Sequence, residues 1–592
     1  MKANGPTLGS VRVARLHGWV AGLLFLVLAV VLTWPLAASP ERAVSVRGDY
    51  FSNLWNFWWV RSALSAGTLP WQADVLHHPL GIDLARHTLS PVNALPGGLL
   101  TGWLGPHDAY KVLLLIHFWL SGWFSFLFVR RLTDSTGGAV LAGIAWTFSP
   151  FHGYYFAQMN LATLEFIPLA AFFMVGIYRD GGRGNFVGMA LATALLAGSS
   201  SYYVVYVALL GLLLFAGGRL WDPELPWKPG ALRLTGAGAL AATVVLAVSW
   251  PLIAATLAGN AEASGPALRA ATAAERSNDL QGFLWVGGPE EVVVSWPTML
   301  GYTSLLLLLL GLRGVIRRPY WIGMLLLFLT LSLGPELSVA GEATGQSLPY
   351  AWLSDLPLLS MLRKPDRLVL MVELALGVLL AYAWSDVSAR LPSGRWRGAC
   401  VTTLALLLAL ERAPLPAATY EIPTSPYLAT IAADPDVEVV LDLPPQGYES
   451  QAARRNFLQT LHNKKIIEGY ATNLALSSAH AEAAKAWKNA NQRLTDKKPG
   501  PVLKLARETG IDLIVLHRTE PKPRERETFP ASTIWTPFCF ARQKLLAIRQ
   551  QGPFLESALL GSKFTSMRRT LREELGSPIH VDDQIVVFRC VP

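Results

Sequence analysis

The sequence has little charge for its length. Asp, Glu, Lys and Arg make up 15% of its 592 residues, whereas about a quarter of a soluble chain is charged. The mean hydropathy is +0.35, and apolar runs recur from Gly18 to Leu410 and then largely stop. This distribution argues against a string of soluble domains. It predicts a polytopic α-helical membrane domain, residues 1–413, followed by a soluble α/β domain, residues 414–592.

Cysteine is scarce as well, with three residues in the chain. Cys400 lies in an apolar run and is predicted to be a small core residue. Cys539 and Cys590 fall in the predicted C-terminal domain, where they could pair if that domain is exported, although two cysteines leave the pairing open. The same domain lacks a nucleophile elbow, a phosphate loop, a pair of zinc-binding histidines and a glycine-rich dinucleotide turn.

The net charge of +9 would suit a nucleic-acid partner, but the arginines of the first part fall in short loops between apolar runs, where they act as topology signals. The first run resembles a cleavable signal peptide, yet an uncleaved helix is favoured because many spans follow. The arginine-rich loops place the N-terminus in the cytoplasm, and an odd number of spans then exports the C-terminal domain. About eleven segments have the length that a bilayer requires: 18–37, 108–131, 137–151, 160–178, 185–200, 202–218, 233–256, 297–313, 319–335, 366–386 and 398–412.

The first outer loop, residues 38–107, is the most informative stretch. It contains "GDYFSNLWNFWW", in which Asp49, Asn53 and Asn56 recur at helical spacing among tryptophans. This pattern predicts an interfacial helix with its acid toward a cavity and its tryptophans among lipid headgroups. Asp49 is a candidate catalytic base, with an N-cap of the helix as the alternative. The proline-containing segment 90–105 is predicted to be a juxtamembrane helix.

Asn53 and three more outer-face residues are candidate substrate-binding groups. Asp83 follows in "HHPLGIDLARH". Glu165 lies about one turn inside a predicted span, where an ionisable group suggests a functional site, with a snorkelling or protonated acid as the alternative. His152 belongs to the aromatic corner "SPFHGYY", which could stack on a sugar ring or belong to an interfacial aromatic belt.

The segment "LRKPDR" carries positive charge at the predicted outer end of a span, against the topology rule. Arg363 and Arg367 are therefore candidate phosphate ligands, because the guanidinium group is planar and can bind a phosphate through two hydrogen bonds. Pairing with Asp355 or Asp366, or with anionic lipid headgroups, is the alternative.

The chain resembles the GT-C glycosyltransferases, and more narrowly the bacterial YfhO-type and related GT-C-like membrane proteins. The resemblance is carried by "GDYFSNLWNFWW", "HHPLGIDL", "GIAWTFSPFHGYY", "LRKPDRLVLMVELAL" and "VVLDLPP". It implies transfer of a sugar from a polyprenyl-phosphate carrier to a glycan, lipid or protein on the outer face of a bacterial inner membrane. It also implies that Asp49 acts as the base and that a cation, Arg or a divalent metal, binds the leaving phosphate.

The sequence departs from several branches of that family because Asp49 has no acidic neighbour. A metal, if there is one (Mg or Mn), would then be held by Asp49 together with Asp83 or Glu165. Two alternative functions stay open. One is a transporter or flippase of lipid-linked saccharides, and the other is a non-catalytic cell-envelope assembly protein that kept the fold.

Overall fold

The computed structural model describes residues 8–221, 227–257, 272–284, 298–353, 364–413, 417–443, 449–472, 478–518 and 556–590. Up to residue 413 the protein is mostly helical. The helices are α1 Leu8–Leu32, α2 Gly48–Ser65, α3 Pro91–Leu104, α4 Pro106–Thr133, α5 Thr136–Thr147, α6 Pro150–Tyr154, α7 Met159–Ala162, α8 Phe166–Arg179, α9 Arg183–Ser199, α10 Ser201–Ala216, α11 Gly218–Trp221, α12 Trp227–Val248, α13 Trp250–Leu257, α14 Tyr302–Leu310, α15 Leu312–Ile316, α16 Pro319–Ser332, α17 Pro349–Leu353, α18 Val369–Arg390 and α19 Gly394–Arg412.

Four helical segments among the described residues are long and apolar enough to cross a membrane: Pro106–Thr133, Met159–Arg179, Trp227–Val248 and Pro365–Arg390. Other apolar helices are shorter, because breaking residues end them early. The predicted span 137–151, for example, is the 12-residue helix α5, which ends before Pro150 opens α6. The chain is thus a multi-pass membrane protein, and the number of about eleven spans stays a prediction.

Helix α3 packs against α2 at very short range. A side chain at Gly97 would overlap the Phe57 ring, and one at Gly98 would lie 2.8 Å from the Phe57 backbone oxygen. Glycine is therefore required for this approach. With 14 residues, α3 is about 21 Å long, which is short of a bilayer core and agrees with the predicted juxtamembrane helix.

The C-terminal part contains a five-stranded sheet with the order β6-β5-β7-β9-β8. Strands β5, β6 and β7 are parallel, and β9 runs antiparallel to β7 and β8. The elements of the chain not yet given are β1 Gln72–Ala73, β2 Ile82–Asp83, β3 Glu336–Val339, β4 Glu342–Ser347, α20 Tyr427–Ala433, β5 Val439–Leu443, α21 Glu449–His462, β6 Lys465–Ile466, α22 Ser478–Thr495, α23 Gly500–Glu508, β7 Leu513–His517, α24 Glu556–Leu575, β8 His580–Val581 and β9 Ile585–Arg589.

This sheet is joined to the first outer loop. The Ile466 amide donates to the Val75 carbonyl at 3.0 Å, and the His78 amide donates to the Ile466 carbonyl at 3.1 Å. The loop thereby binds the edge of the sheet at β6 through two backbone hydrogen bonds. The two parts of the chain also share one hydrophobic core. No gap in packing among the described residues therefore marks the domain boundary at residues 413/414, which stays a prediction from the sequence.

The tryptophans of α2 are not placed as predicted. Trp55 and Trp59 are buried, and the Trp55 indole Nε1 donates to Gln459 Oε1 of α21 at 2.8 Å. The Trp58 indole Nε1 donates to Asn463 Oδ1 at 2.9 Å. The expectation of an aromatic belt among headgroups is therefore wrong for this helix, because its aromatic face packs against the C-terminal part of the chain.

Candidate functional site

Asp49 lies in the first turn of α2 and is half-buried. The residue at the N-cap is Arg47, and no side chain caps the helix, so the alternative that Asp49 is the N-cap is wrong. Asn53 donates from Nδ2 to the Asp49 backbone carbonyl at 2.7 Å and is itself buried. The Asn53 side chain is thus used within the helix, and its predicted contact with substrate stays a prediction.

The turn Pro365–Leu368 carries Arg367 into an aromatic setting. Its guanidinium carbon lies 4.6 Å from the ring centroid of Tyr202 and 5.8 Å from that of Tyr155. Arg367 is 4% exposed, and its Nε–H has no hydrogen-bond partner. Aromatic faces stabilise a guanidinium group without neutralising its charge. Arg367 is therefore a buried positive charge whose Nε–H can donate a further hydrogen bond.

A second segment of chain is held against this turn. The Asp366 amide donates to the Arg276 carbonyl at 2.9 Å, and Asn278 Nδ2 donates to the Asp366 carbonyl at 3.1 Å. Asp366 and Asn278 are buried. These backbone contacts bring Arg276 next to the turn, although 90 residues separate it from Asp366 in the numbering of the chain.

Lys364 interacts electrostatically with both Asp49 and the two arginines. Burial, together with the charges of Arg367 and Arg276, lowers the pKa of the half-buried Lys364 ammonium to about 8, while Asp366 and Asp49 act against this shift. The Asp49 carboxylate is thus within electrostatic reach of the same ammonium as the two arginines. We call Arg276, Lys364 and Arg367 the basic cluster.

Aromatic side chains contact both ends of the candidate site. Arg47 lies 5.0 Å from the ring centroid of Tyr154, and Tyr155 is hydrogen-bonded to Arg367. Asp49 is also within electrostatic reach of Tyr110. The contact of Arg276 with the turn was not predictable, because nothing in its local sequence signals which distant segment it contacts.

Two other predicted residues, Arg363 and Asp83, have no described contact with this site. Arg363 lies outside the described residues. Asp83 is exposed, and its Oδ1 accepts from the Ala85 amide of its own turn at 2.7 Å. The predicted phosphate role of Arg363 and the predicted substrate role of Asp83 stay predictions.

Glu165 and His152 are completely buried. Glu165 Oε1 accepts from His117 Nδ1 at 2.7 Å. His152 Nδ1 donates to the Thr147 carbonyl at 2.9 Å, and its ring stacks on Phe118 with 3.7 Å between centroids. Both residues therefore lie among helices rather than on an open surface, and their predicted contact with substrate stays a prediction.

The residues do not fit the predicted metal site. Asp83 is exposed at its turn and Glu165 is paired inside the bundle. Over the described ranges, no group of three His, Cys, Asp or Glu side chains is arranged to hold a metal ion. We therefore derive no step through Mg or Mn.

A separate cavity of about 230 Å³ lies between the first outer loop and α22. Its walls include His77, His78, Glu468, His480 and Trp487. Burial and the neighbouring His480 together lower the pKa of His77 to about 4, so the His77 imidazole is neutral near pH 7.

Cys590 is buried and is a free thiol, while its predicted partner Cys539 lies outside the described residues.

No protein-family model and no curated protein matches the sequence. Among solved structures, the arabinofuranosyltransferase AftD from mycobacteria is similar with a TM-score of 0.55 and 17% identity, over 85% of this chain and 35% of that chain. The archaeal oligosaccharyltransferase AglB from Archaeoglobus fulgidus has a TM-score of 0.43 and 11% identity, over 86% and 70% of the two chains. ArnT from Cupriavidus metallidurans has a TM-score of 0.46 and 13% identity, over 98% of both chains.

The chain spans about a third of the length of AftD. At this level of identity the likeness concerns the fold and not the reaction. The narrower resemblance to YfhO-type proteins stays a prediction. The chain has the GT-C fold of membrane glycosyltransferases.

Proposed function

We propose that this protein is a membrane glycosyltransferase that moves a sugar from a polyprenyl-phosphate carrier to a glycan, lipid or protein acceptor. The observation that carries the proposal is the placement of Asp49 within reach of the basic cluster, through Lys364. A carboxylate beside a concentration of positive charge supplies the two groups that the transfer requires, a base for the acceptor and a counter-charge for the leaving phosphate.

The reaction follows from these groups. Asp49 accepts the proton of an acceptor hydroxyl as its oxygen bonds to the anomeric carbon. The bond between that carbon and the phosphate oxygen breaks, and the phosphate leaves with the electron pair. Because attack and departure are on opposite faces of the sugar, the configuration inverts. The proton ends on Asp49 and the second negative charge on the phosphate.

The positive charge of the basic cluster attracts the released polyprenyl phosphate more strongly than the intact sugar donor. Arg276, Lys364 and Arg367 carry three positive charges, and the adjacent Asp366 removes one when it is ionised. A sugar phosphodiester has one negative charge, whereas the released polyprenyl phosphate approaches two. The cluster is therefore attracted more strongly to the departing phosphate than to the intact donor, which is the condition for lowering the barrier.

The setting of the reaction belongs to the same proposal. The N-terminus faces the cytoplasm, about eleven spans cross a bacterial inner membrane, and the first outer loop and the C-terminal α/β domain share its outer side. The arginine distribution of the sequence supports this sidedness. A divalent metal would add positive charge at the phosphate, and we assign it no ligands.

The test is transfer from a radiolabelled polyprenyl-phosphate sugar by the full chain in lipid vesicles. We expect Asp49→Asn to slow transfer by about 10²- to 10⁴-fold, the range of general base catalysis, with an unchanged melting temperature. Asp74→Asn, which removes an exposed acid of the same loop, is the control and is expected to transfer normally. Equal rates for wild type and Asp49→Asn would overturn the assignment.

The two alternative functions are distinguished by the same preparation. Counterflow of lipid-linked sugar across the vesicle without transfer would identify a flippase. A protein that binds polyprenyl phosphate through the basic cluster but neither transfers nor transports would be a non-catalytic assembly protein.

A further inference from the structure

Six buried polar atoms without a hydrogen-bond partner are concentrated behind the candidate site. They belong to α4, to the end of α5, to α6 and to the residue before α8. Each side chain is at most 5% exposed. The atoms are His117 Nε2, Ser121 Oγ, Trp146 Nε1, Thr147 Oγ1, His152 Nε2 and Glu165 Oε2.

These side chains are neighbours. His117 is bonded to Glu165 at 2.7 Å, and Ser121 lies one turn further along the same face of α4. His152 is bonded to the Thr147 carbonyl at 2.9 Å, and its ring stacks on Phe118, the residue after His117. The two histidines are within electrostatic reach of each other. We call the six side chains the polar cluster.

The existing hydrogen bonds determine which groups the unpartnered atoms can still bind. The Glu165 carboxylate accepts from His117 Nδ1, so His117 carries a lone pair on Nε2 when it is neutral. His152 donates from Nδ1 to a carbonyl, and its ring also interacts with the Ala162 backbone. Two buried acceptors, His117 Nε2 and Glu165 Oε2, thus have no partner among the described residues and require a donor from elsewhere. The combined desolvation cost of six such atoms would otherwise rival the whole free energy of folding.

A metal ion does not meet this need, because the described residues include no group of three His, Cys, Asp or Glu side chains arranged to hold one. Water does, since each molecule donates two hydrogen bonds and accepts two, and buried waters are typically bound by about three polar groups. We propose that His117, His152 and Glu165 bind a small group of ordered water molecules inside the helical bundle, with the hydroxyls of Ser121 and Thr147 and the indole of Trp146 completing its wall.

Tyr203 links the polar cluster to the basic cluster. Tyr203 is completely buried and donates from its hydroxyl to the Leu161 carbonyl. It is within electrostatic reach of Glu165 on one side and of Tyr155 and Arg367 on the other. The waters would therefore support, from inside, the corner of chain that carries Tyr155. This inference stands whatever reaction the basic cluster serves.

The first test is an isosteric substitution, Thr147→Val, in the full chain, with the apparent melting temperature as the readout. If the hydroxyl binds water, the valine variant loses a hydrogen bond and melts about 1–3 °C lower. If the site is dry, the same substitution removes an unsatisfied polar atom and the protein melts higher. Thr430→Val, at an exposed position of α20, is the matched control and is expected to change stability by no more than about 0.5 kcal/mol, the usual effect of a surface substitution.

The second test does not depend on a variant. A cryo-electron microscopy map of the full chain in nanodiscs, at a resolution that shows water, is expected to contain density within hydrogen-bond distance of Glu165 Oε2 and both Nε2 atoms. A raised melting temperature for Thr147→Val, an empty map at this position or density for a metal ion at this position would each overturn the proposal.

Discussion

Lys364 gives the sharpest prediction about the basic cluster. Its ammonium has a pKa of about 8 because of burial and the charges of Arg367 and Arg276. A phosphate bound beside it would be held by a charge-assisted hydrogen bond, which contributes about 1.5–3 kcal/mol. Because Lys364 is half-buried, solvent screening favours the lower end of this range. We therefore expect Lys364→Met to weaken binding of polyprenyl phosphate by about 10-fold.

The depressed pKa makes this contribution depend on pH. With a pKa of about 8, roughly 90% of Lys364 is charged at pH 7 and roughly 10% at pH 9. The affinity of wild type should fall by up to about 10-fold over this window, on the same basis. Lys364→Arg should lose the fall, because a guanidinium group stays charged throughout.

Stability without ligand should change in the opposite sense. The pKa of Lys364 is 10.5 when unperturbed and about 8 in the folded protein. The unfolded chain therefore binds more protons between pH 8 and pH 10.5, and stability rises with pH across this window. Lys364→Met should remove this part of the rise.

The assay is equilibrium binding of a short-chain polyprenyl phosphate to the full chain in detergent, with thermal melting on the same samples from pH 6.5 to pH 10. The reasoning is refuted if Lys364→Met binds as tightly as wild type at pH 7, or if Lys364→Arg keeps the pH dependence of wild type.

Three further predictions concern packing and metal dependence. Gly98→Ala would place a methyl group 2.8 Å from the Phe57 backbone oxygen and should lower both stability and transfer. Gly102→Ala is the control, because its methyl group meets the flexible end of Arg61 and should be tolerated. Melting and transfer assays on both variants test this. Gln459→Ala would leave the Trp55 indole and the Lys464 carbonyl without their partner and would remove one of the two hydrogen bonds to the Val75 carbonyl, which also accepts from the Ile466 amide. We expect a loss of about 2–4 kcal/mol of stability, with exposed Gln492→Ala as the control in the same melting assay. Chelation of divalent cations should leave the transfer rate within about twofold of the untreated rate, because the basic cluster supplies positive charge, and a rate restored only by Mg²⁺ or Mn²⁺ would contradict this.

The local features of the chain were predictable from the sequence. The segment that carries Asp49 is a helix, and the segment 90–105 contains the short helix α3. Four apolar runs of the C-terminal part, typical of buried strands, form β5, β6, β7 and β9: "VEVVLDLP", "KKIIEG", "IDLIVLHR" and "QIVVFRC". These elements follow from periodicity, breaking residues and runs of β-branched residues, which act over a few residues.

The partners of the site residues were not predictable in the same way. Nothing near Glu165 in sequence identifies His117 as its partner, since the pair is 48 residues apart. The same holds for Arg276 and Asp366. The tryptophans of α2 were assigned to lipid because an amphipathic aromatic ring suits both a headgroup region and a buried contact with one polar partner. The choice between these depends on the C-terminal part of the chain.

The contacts between the first outer loop and the C-terminal part affect how the protein folds during synthesis. Gln459 Nε2 donates to the Val75 carbonyl across 384 residues of chain. The loop is synthesised early, yet its backbone and its tryptophans find their partners after about two thirds of the chain has followed. During that interval apolar surface and unpaired backbone are open to wrong contacts, as in other folds dominated by distant pairings. Biogenesis of this protein should therefore depend on a chaperone that shields the nascent loop until translation is nearly finished.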